Sequence, residues 1–309
     1  MRILGLILFS FFFYSNHYGQ QNTVFHNYIE TSYYNNPSIS SPLKKELLTA
    51  YRNHWSGFPG APRSFLVAYQ TPVLLNTNTK TYSSLGGYLK SDIIGAFKSN
   101  TLNFSYSYSF LLNDRLRCSF GSFIGLKQLA LDITNFNIYQ ANDPIIDVSN
   151  SAILNPDFSF GVVVFNNTNF FGFSYKNILN RNWRKIILSE NSQTESSIII
   201  SGGKIIKFSN FSFSPNFLIN YSINFNTLFL LGIDLDYQNK VGIGLISKND
   251  NALISRLKIN LSNNFKIIYG YEFRYASLAI NTTNSHEFLI SYHSSIVEKM
   301  KRTKLVSYF

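Results

Sequence analysis

Residues 101–110 read TLNFSYSYSF, and in this stretch apolar or aromatic residues alternate strictly with polar ones. Side chains of a β-strand point alternately to its two faces, so the stretch predicts a strand with one apolar, aromatic face and one polar face. The same period recurs along the chain in pieces of about ten residues, the length that a tilted strand needs to cross a bilayer. The pattern therefore predicts a sheet that closes into a membrane barrel.

Segments with strand character follow one another regularly after residue 46, some of them separated by tight polar turns such as Asn113-Asp114. We count about fourteen, an even number of the kind that single-chain bacterial barrels use. We therefore predict an all-β fold, a monomeric transmembrane antiparallel β-barrel of about 14 strands with an N-terminal arm. The predicted strands are residues 47–55, 64–71, 84–89, 101–112, 115–126, 158–165, 169–179, 195–208, 211–221, 227–238, 240–247, 252–261, 265–275 and 286–294.

The composition favours a wall that faces lipid, because only 14% of the residues are charged while 17% are aromatic. The alternative with the same alternation, a soluble secreted β-sandwich, would carry more surface charge. Four charged residues, Glu272, Arg274, Asp234 and Asp236, alternate with aromatic or aliphatic neighbours. Because an arginine on the lipid side costs about 2–4 kcal/mol at the bilayer midplane, we expect these four side chains to face the lumen.

The sequence divides into four regions. It begins with a basic residue and a short apolar run, which is typical of a secretory signal peptide. We predict a signal peptide at 1–19, a periplasmic N-terminal arm at 20–46, the barrel at 47–296 and a basic C-terminal tail at 297–309. Residues 128–156 break the strand rhythm and are expected to form an extracellular loop or a partial plug. The tail is either a barrel-assembly signal or a periplasmic contact for partner proteins, and the sequence leaves both interpretations open.

The formal net charge of +11 would favour nucleic-acid binding in a protein that shares a compartment with nucleic acid. Export removes the chain from nucleic acid, so the basic residues are expected to lie near anionic lipid headgroups or to meet acidic partners. Cys118 is the single cysteine, so the chain has no internal disulfide and no cysteine metal cluster. We expect Cys118 to sit passively in a strand.

No catalytic motif is visible in the sequence. The histidines that remain after the signal peptide do not form a metal-binding helix pattern, and neither a phosphate-binding glycine loop nor a G-x-S-x-G elbow occurs. We therefore predict no enzyme, no cofactor and no metal. The pair His286-Glu287 opens the last strand, where a metal or acid–base role is one interpretation. We favour the other, a polar pair at the membrane boundary.

Residues 51–64, YRNHWSGFPGAPRS, run from a strand into a shaped turn. Pro59 and Pro62 fix φ at two positions, while Gly57 and Gly60 leave it free at two others. The composition of this stretch predicts a tight turn of defined shape.

At these residues the chain resembles the PorP/SprF family of type IX secretion system outer-membrane proteins, whose Asn-, Tyr- and Pro-rich arm leads into a YRNQW-G-F-GAP-type segment. Here Asn35-Asn36-Pro37 is followed by Tyr51, Arg52, Asn53, His54, Trp55, Gly57, Phe58, Gly60, Ala61 and Pro62. Further similar stretches are Asp143-Pro144, 154–158 with Gly161, 177–180, 269–271 and 285–287. The chain departs from the family pattern at two places: His54 stands where the family usually has Gln, and Glu272-Phe273-Arg274 replaces a pattern that ends in Asp. These departures leave the expected fold unchanged and bear on which partner is recognised.

The resemblance implies a bacterial outer-membrane component of the type IX secretion system. Such proteins dock or anchor secreted adhesins that carry a C-terminal sorting domain, and some members support gliding motility. The implied partners are this cargo, other secretion components and the lipid bilayer, with no nucleic acid. The shaped contact surface would comprise Arg52, Trp55, Phe58, Gly60 and Pro62, and the family supplies no catalytic or ligand residue for these positions.

Two other functions remain open at this point. The first is an outer-membrane channel for small or hydrophobic solutes, which the polar lumen and the predicted plug would suit. The second is a soluble adhesive sandwich.

Overall fold

The structure is a computed structural model that describes residues 24–41, 44–73, 81–132, 152–179, 196–223, 225–275, 284–295 and 308. A single helical turn, α1 (Ser32–Asn35), precedes the strands. The strands are β1 (Lys44–Asn53), β2 (Arg63–Val73), β3 (Thr81–Ile94), β4 (Phe97–Leu111), β5 (Arg117–Leu131), β6 (Ala152–Phe165), β7 (Asn169–Lys176), β8 (Ser197–Lys204), β9 (Ile206–Lys207), β10 (Phe211–Ser222), β11 (Phe225–Tyr237), β12 (Val241–Lys248), β13 (Ala252–Asn260), β14 (Phe265–Arg274) and β15 (Ser285–Ser295). Among the described residues, no helix has the length and apolar character to span a membrane.

The sheet closes on itself. β1 pairs with β2 on one side and with β15 on the other, with Lys44 opposite Ser295 and Asn53 opposite His286. β9 continues β8 after Ile205, and both pair with β10, so the closed wall has 14 strands. The predicted 14-strand antiparallel barrel is therefore confirmed. The soluble sandwich is excluded, because a sandwich consists of two packed sheets and this wall is one closed sheet.

Apolar side chains point to the outer surface of the wall and polar side chains point to the lumen, as the alternation predicts. On β4, Phe104 is 64% exposed on the outer surface, whereas Asn103 and Ser105 are buried in the lumen. The expected lumenal charges also point inward, since Asp234 and Glu272 are buried and both form ion pairs with inward-facing cations. The outer surface is thus apolar and suited to lipid, and the charges of the wall meet one another inside.

The two ends of the barrel differ in the length of their connections. β1 begins and β15 ends at one end, which we call the short-turn end; its connections are residues 74–80, 112–116, 166–168, 208–210, 238–240 and 261–264. The other end, which we call the long-connection end, carries all four of the longest connections, residues 54–62, 132–151, 177–196 and 275–284. The sequence motif 54–62 therefore lies at the long-connection end.

Residues 24–41, called the arm from here on, lie inside the barrel. Nearly all of their side chains are buried, and Phe25, Tyr33 and Tyr34 pack with wall residues such as Leu66 and Phe123 into one hydrophobic cluster. This differs from the periplasmic arm expected at 20–46, and Lys44 and its two successors already belong to β1. The arm lacks strand periodicity because it fills the lumen with irregular backbone and polar or aromatic side chains, which match the polar inner face of the wall.

Glycines of the wall make room for the arm. Gly121 on β5 and Gly161 on β6 are paired across the sheet, and Asn36 and Pro37 lie against them. The amide of Asn36 donates to the carbonyls of Val162 and Phe173 at 3.2 and 3.1 Å. Two stretches that carry the family resemblance, Asn35-Asn36-Pro37 and the segment ending at Gly161, thus meet in the lumen.

Several predicted regions fall partly outside the described residues. The signal peptide at 1–19 lies outside them entirely. Within the expected loop or plug at 128–156, the flanks are strand, because β5 continues to Leu131 and β6 starts at Ala152. From the tail at 297–309 only Tyr308 is described, and its ring packs against Phe170 with centroids 4.7 Å apart. Cys118 is buried in β5, in the strand position expected of it.

Candidate functional site

The motif between β1 and β2, residues 54–62, forms a compact turn that we call the rim turn. Three of its residues adopt a positive φ, Trp55 at 55°, Gly57 at 95° and Gly60 at 75°. Phe58 N–H donates to the Trp55 carbonyl and Ala61 N–H to the Phe58 carbonyl, both at 3.1 Å. The conformational freedom of the two glycines is thus used to fold the backbone back on itself.

The rim turn is fixed to its neighbours through the backbone. Ser56 N–H donates to the Asn284 carbonyl at 3.0 Å, and Trp55 N–H donates to the Ser285 hydroxyl at 3.2 Å. On the other side, Gly95 N–H donates to the Gly60 carbonyl at 3.1 Å. The turn is therefore tied to the start of β15 and to the connection between β3 and β4, which gives it a defined shape.

The five candidate contact residues lie at different depths. Phe58 is 51% exposed at the tip of the turn, and Gly60 is exposed next to it. Trp55 and Pro62 are half-buried, and Arg274 lies 5.6 Å from the Trp55 ring. Arg52 is only 4% exposed and points into the lumen. The structure thus brings four of the five together at the rim and places Arg52 behind them.

Arg52 connects the rim turn to the arm. Its guanidinium donates to the carbonyl of Val24, and its Nη2 lies 3.3 Å from Glu272 Oε2 and 3.0 Å from His54 Nδ1. Alternation along β1 already indicates this inward direction, because Leu48 and Ala50 are the buried residues that precede it at the same spacing.

His54 acts as a hydrogen-bond acceptor. Burial and the neighbouring Arg52 guanidinium lower the pKa of His54, so its imidazole is neutral. Its Nδ1 then accepts from Arg52 and, at 2.8 Å, from the Ser285 hydroxyl. A glutamine side chain offers a carbonyl oxygen for the same purpose. A glutamine at position 54 would therefore keep an acceptor for Arg52 and Ser285.

We expect His54→Gln to leave stability nearly unchanged and His54→Leu to lower the free energy of unfolding by about 1–3 kcal/mol, because leucine leaves the buried donors of Arg52 and Ser285 without this acceptor. Urea unfolding of the protein in lipid vesicles measures the difference. Tyr51→Leu, on the outer face of the same strand, is the control. A leucine variant as stable as the glutamine variant would contradict this role of His54.

Two buried carboxylates, Glu272 and Glu287, hold the beginning of the arm. Both are fully buried. Glu287 accepts from the backbone N–H of His26 at 2.6 Å, and from the backbone N–H and side-chain amide of Asn27 at 3.0 and 2.7 Å. The carboxylate oxygen Glu272 Oε2 accepts a hydrogen bond from the Nε2–H of His26 at 2.6 Å. The last two strands thus bind the arm directly.

The pair His286-Glu287 does not form one site. Glu287 faces the lumen, while half-buried His286 lies on the other face and its Nδ1 is 2.7 Å from the Tyr269 hydroxyl. The two side chains are separated by the wall, so the acid–base or metal interpretation of the pair has no geometric support. No group of three or more possible metal ligands occurs in the described ranges.

A second set of charges holds the middle of the arm. Glu30 lies 3.4 Å from Lys258 and 3.5 Å from Arg256, and Arg256 is bound in turn by Asp234. Glu30 is thus enclosed between two cations of the same strand, and these ion pairs fix the arm to β13. The sequence indicated that the wall charges face inward, but not that the arm is their partner.

The sequence profile described as "Type IX secretion system membrane protein PorP/SprF" matches residues 17–292. No curated protein matches the chain.

Among solved structures, the chain is similar to the toluene transporter TbuX of Ralstonia pickettii, with 9% identity and a TM-score of 0.50 over 85% of this chain and 93% of that one. A FadL homologue of Pseudomonas aeruginosa is 12% identical, with a TM-score of 0.49 and coverage of 85% and 93%. At 9% identity the likeness to TbuX shows the barrel fold alone.

Proposed function

Because the chain belongs to the PorP/SprF family of type IX secretion system membrane proteins, we propose that this outer-membrane barrel docks or anchors a secreted cargo protein with a C-terminal sorting domain, such as an adhesin. Support of gliding motility is part of the same proposal. The family and the fold are those of a secretion-system membrane barrel and not of an enzyme family.

The observation that carries the proposal is the rim turn. Barrels of bacterial outer membranes have short periplasmic turns and longer extracellular loops, so we place the long-connection end outside the cell. The rim turn then presents Phe58 to the outside on a backbone that is hydrogen-bonded to both neighbouring connections. Aromatic residues, phenylalanine among them, are enriched at the centre of interfaces between proteins. Trp55, Gly60 and Pro62 complete the proposed contact surface, and Arg52 supports it from the lumen.

The filled lumen favours docking over the alternative, a channel for small or hydrophobic solutes. Phe25, Tyr33 and Tyr34 pack across the interior against wall residues, the ion pairs of Glu30 fix the arm on β13, and the hydrogen bond from His26 to Glu272 fixes it on β14. A solute would have to displace these contacts in order to pass. The toluene transporter TbuX is similar to this chain, but that likeness concerns the fold only.

The test is cargo retention by Phe58→Ala in cells that make the full-length protein. Loss of a central aromatic contact costs about 2 kcal/mol, so we expect roughly thirtyfold weaker co-purification of the sorting-domain cargo and its release from the cell surface. Phe208→Ala is the matched control, because Phe208 is 64% exposed and lies at the short-turn end. Unchanged surface display in Phe58→Ala would refute the rim turn as the contact, and unchanged display in a deletion strain would refute docking altogether.

A further inference from the structure

The outer wall carries an apolar groove on the side formed by β8 and β10 to β13, with a volume of about 750 Å³. Ligand sites for small molecules commonly measure about 300–1,000 Å³. The groove has Leu231, Ile233, Leu245 and Leu253 along it, all about half exposed on the lipid-facing surface. Its floor includes glycine backbone on β8 and β11.

The sequence explains why the wall is concave here. Phe217 is paired with Gly202 on one side and with Leu231 on the other, and Leu231 is paired with Ser247. In this row two small outward residues, Gly202 and Ser247, therefore flank two large ones, and the surface is lowered at both small residues. A Cβ at Gly202 would lie 2.6 Å from the Phe217 ring, so any side chain there would displace this ring.

A break in the strand pairing adds to the depression. The pairing of β8 with β10 runs to Gly203 and Asn216, and pairing resumes only where β9 meets β10 at Ile206 and Phe213. Pro215 lies in this gap on β10, where it has no N–H to donate. This interruption of the pairing lies beside the glycines and adds to the concave shape of the outer surface.

One end of the groove is cationic. Exposed Lys204, the last residue of β8, lies at the short-turn end and lines the groove, and Lys207 is exposed three residues later. Exposed aromatic residues lie about four residues closer to the short-turn end, Phe208, Phe211 and Tyr237, of which the last two pack with ring centroids 5.0 Å apart. Aromatic girdles mark the membrane interface, so the headgroups begin just beyond Lys204, and its long side chain can extend its ammonium to them.

We propose that this groove is a binding site for an anionic glycerophospholipid of the periplasmic leaflet. An acyl chain lies along Leu231, Ile233 and Leu245, and the phosphate is bound by the ammonium of Lys204. Lipid is the occupant that the chemistry selects, because the groove is apolar at the depth of the acyl chains and basic at the depth of the headgroups. A second copy of the barrel would bring Lys204 against its own like charge. The site is independent of cargo docking and of the rim turn.

The experiment is native mass spectrometry of the purified full-length protein in detergent, titrated with dioleoylphosphatidylglycerol or dioleoylphosphatidylcholine. We expect one retained phosphatidylglycerol and a preference of roughly tenfold over phosphatidylcholine. Lys204→Gln should abolish the preference, and Ser247→Trp, which fills the groove from its outer side, should reduce retention of both lipids. Arg115→Gln, an exposed residue at the short-turn end of β4 and β5, and Leu89→Trp on the outer face of β3 are the controls.

Equal retention of both lipids, or an undiminished preference in Lys204→Gln, would overturn the proposal. A folded Ser247→Trp variant with undiminished lipid retention would also overturn it. Lys204 is exposed, so its variant decides the question even if the tryptophan variant fails to fold. A co-purifying protein that occupies the groove in place of lipid would count against the proposal as well. Failure of cargo retention in Phe58→Ala leaves these outcomes unaffected, so the two proposals can be judged separately.

Discussion

Gly161→Val is expected to expel the arm and open the barrel to ions. Even the first atom of a side chain at this position would lie 2.0 Å from Asn36 Oδ1 and 3.1 Å from the Pro37 ring. Asn36 cannot shift without losing its hydrogen bonds to Val162 and Phe173. Overpacking costs up to about 3 kcal/mol in ordinary cores, which corresponds to a change of roughly a hundredfold in the arm-in population.

Single-channel recording in planar bilayers measures this effect. We expect the native barrel to be silent and Gly161→Val to conduct, and protease added to the open barrel should cleave the arm. Val162→Phe is the matched control, because it enlarges the next residue of the same strand on the outer face. A silent Gly161→Val variant with a protected arm would show that the lumen is closed by something other than the contact of Asn36 with β6. A conducting native protein would instead favour the solute channel.

Glu287→Ala should release the beginning of the arm while leaving the barrel closed as a sheet. The substitution removes the acceptor for two buried backbone N–H groups and for the Asn27 amide. Unsatisfied buried donors and broken buried charge contacts cost about 2–5 kcal/mol. We therefore expect the amide protons of His26 and Asn27 to exchange with solvent at least roughly thirtyfold faster than in the native protein.

Hydrogen exchange followed at these two residues is the measurement. Glu287→Gln retains one acceptor oxygen and should give an intermediate rate. Glu46→Gln serves as the control: its carboxylate also lies in the lumen, but it accepts from Gln70 and Ser291 near the short-turn end, far from His26. Native exchange rates in Glu287→Ala would mean that Glu272 and the ion pairs of Glu30 with Arg256 and Lys258 hold the arm without Glu287.

The strands of the wall were predictable because each strand and its facing are encoded by residues that are adjacent in the sequence. Alternation over about ten residues gives both the strand and its facing, as in the segment around Phe104, and it predicts that Glu272 and Asp234 face inward. Strand ends were less accurate, as at β5 and β6, where the strands run further into the polar segment than the pattern indicated. The added ends contain runs of apolar residues, 129–131 and 152–154, which lack the alternation that marks a strand in this wall.

The arm could not be placed from sequence because its partners are far along the chain. His26 contacts Glu287 and Glu272, and Asn36 contacts β6 and β7, and no local pattern encodes such pairings. The candidate contact residues show the same limit. The glycines and prolines of the motif predict the turn in which Phe58 and Gly60 lie. The inward direction of Arg52 follows only when the motif is combined with the alternation of β1.

The contact between the arm and Glu287 also has a consequence for biogenesis. The arm is near the start of the chain, but its acceptor lies on the final strand, 260 positions later. Contacts between such distant segments form late, because a long loop must close before they can stabilise anything. The start of the arm is therefore bound only after β15 is in place beside β1. We expect it to become ordered as the last step of barrel assembly.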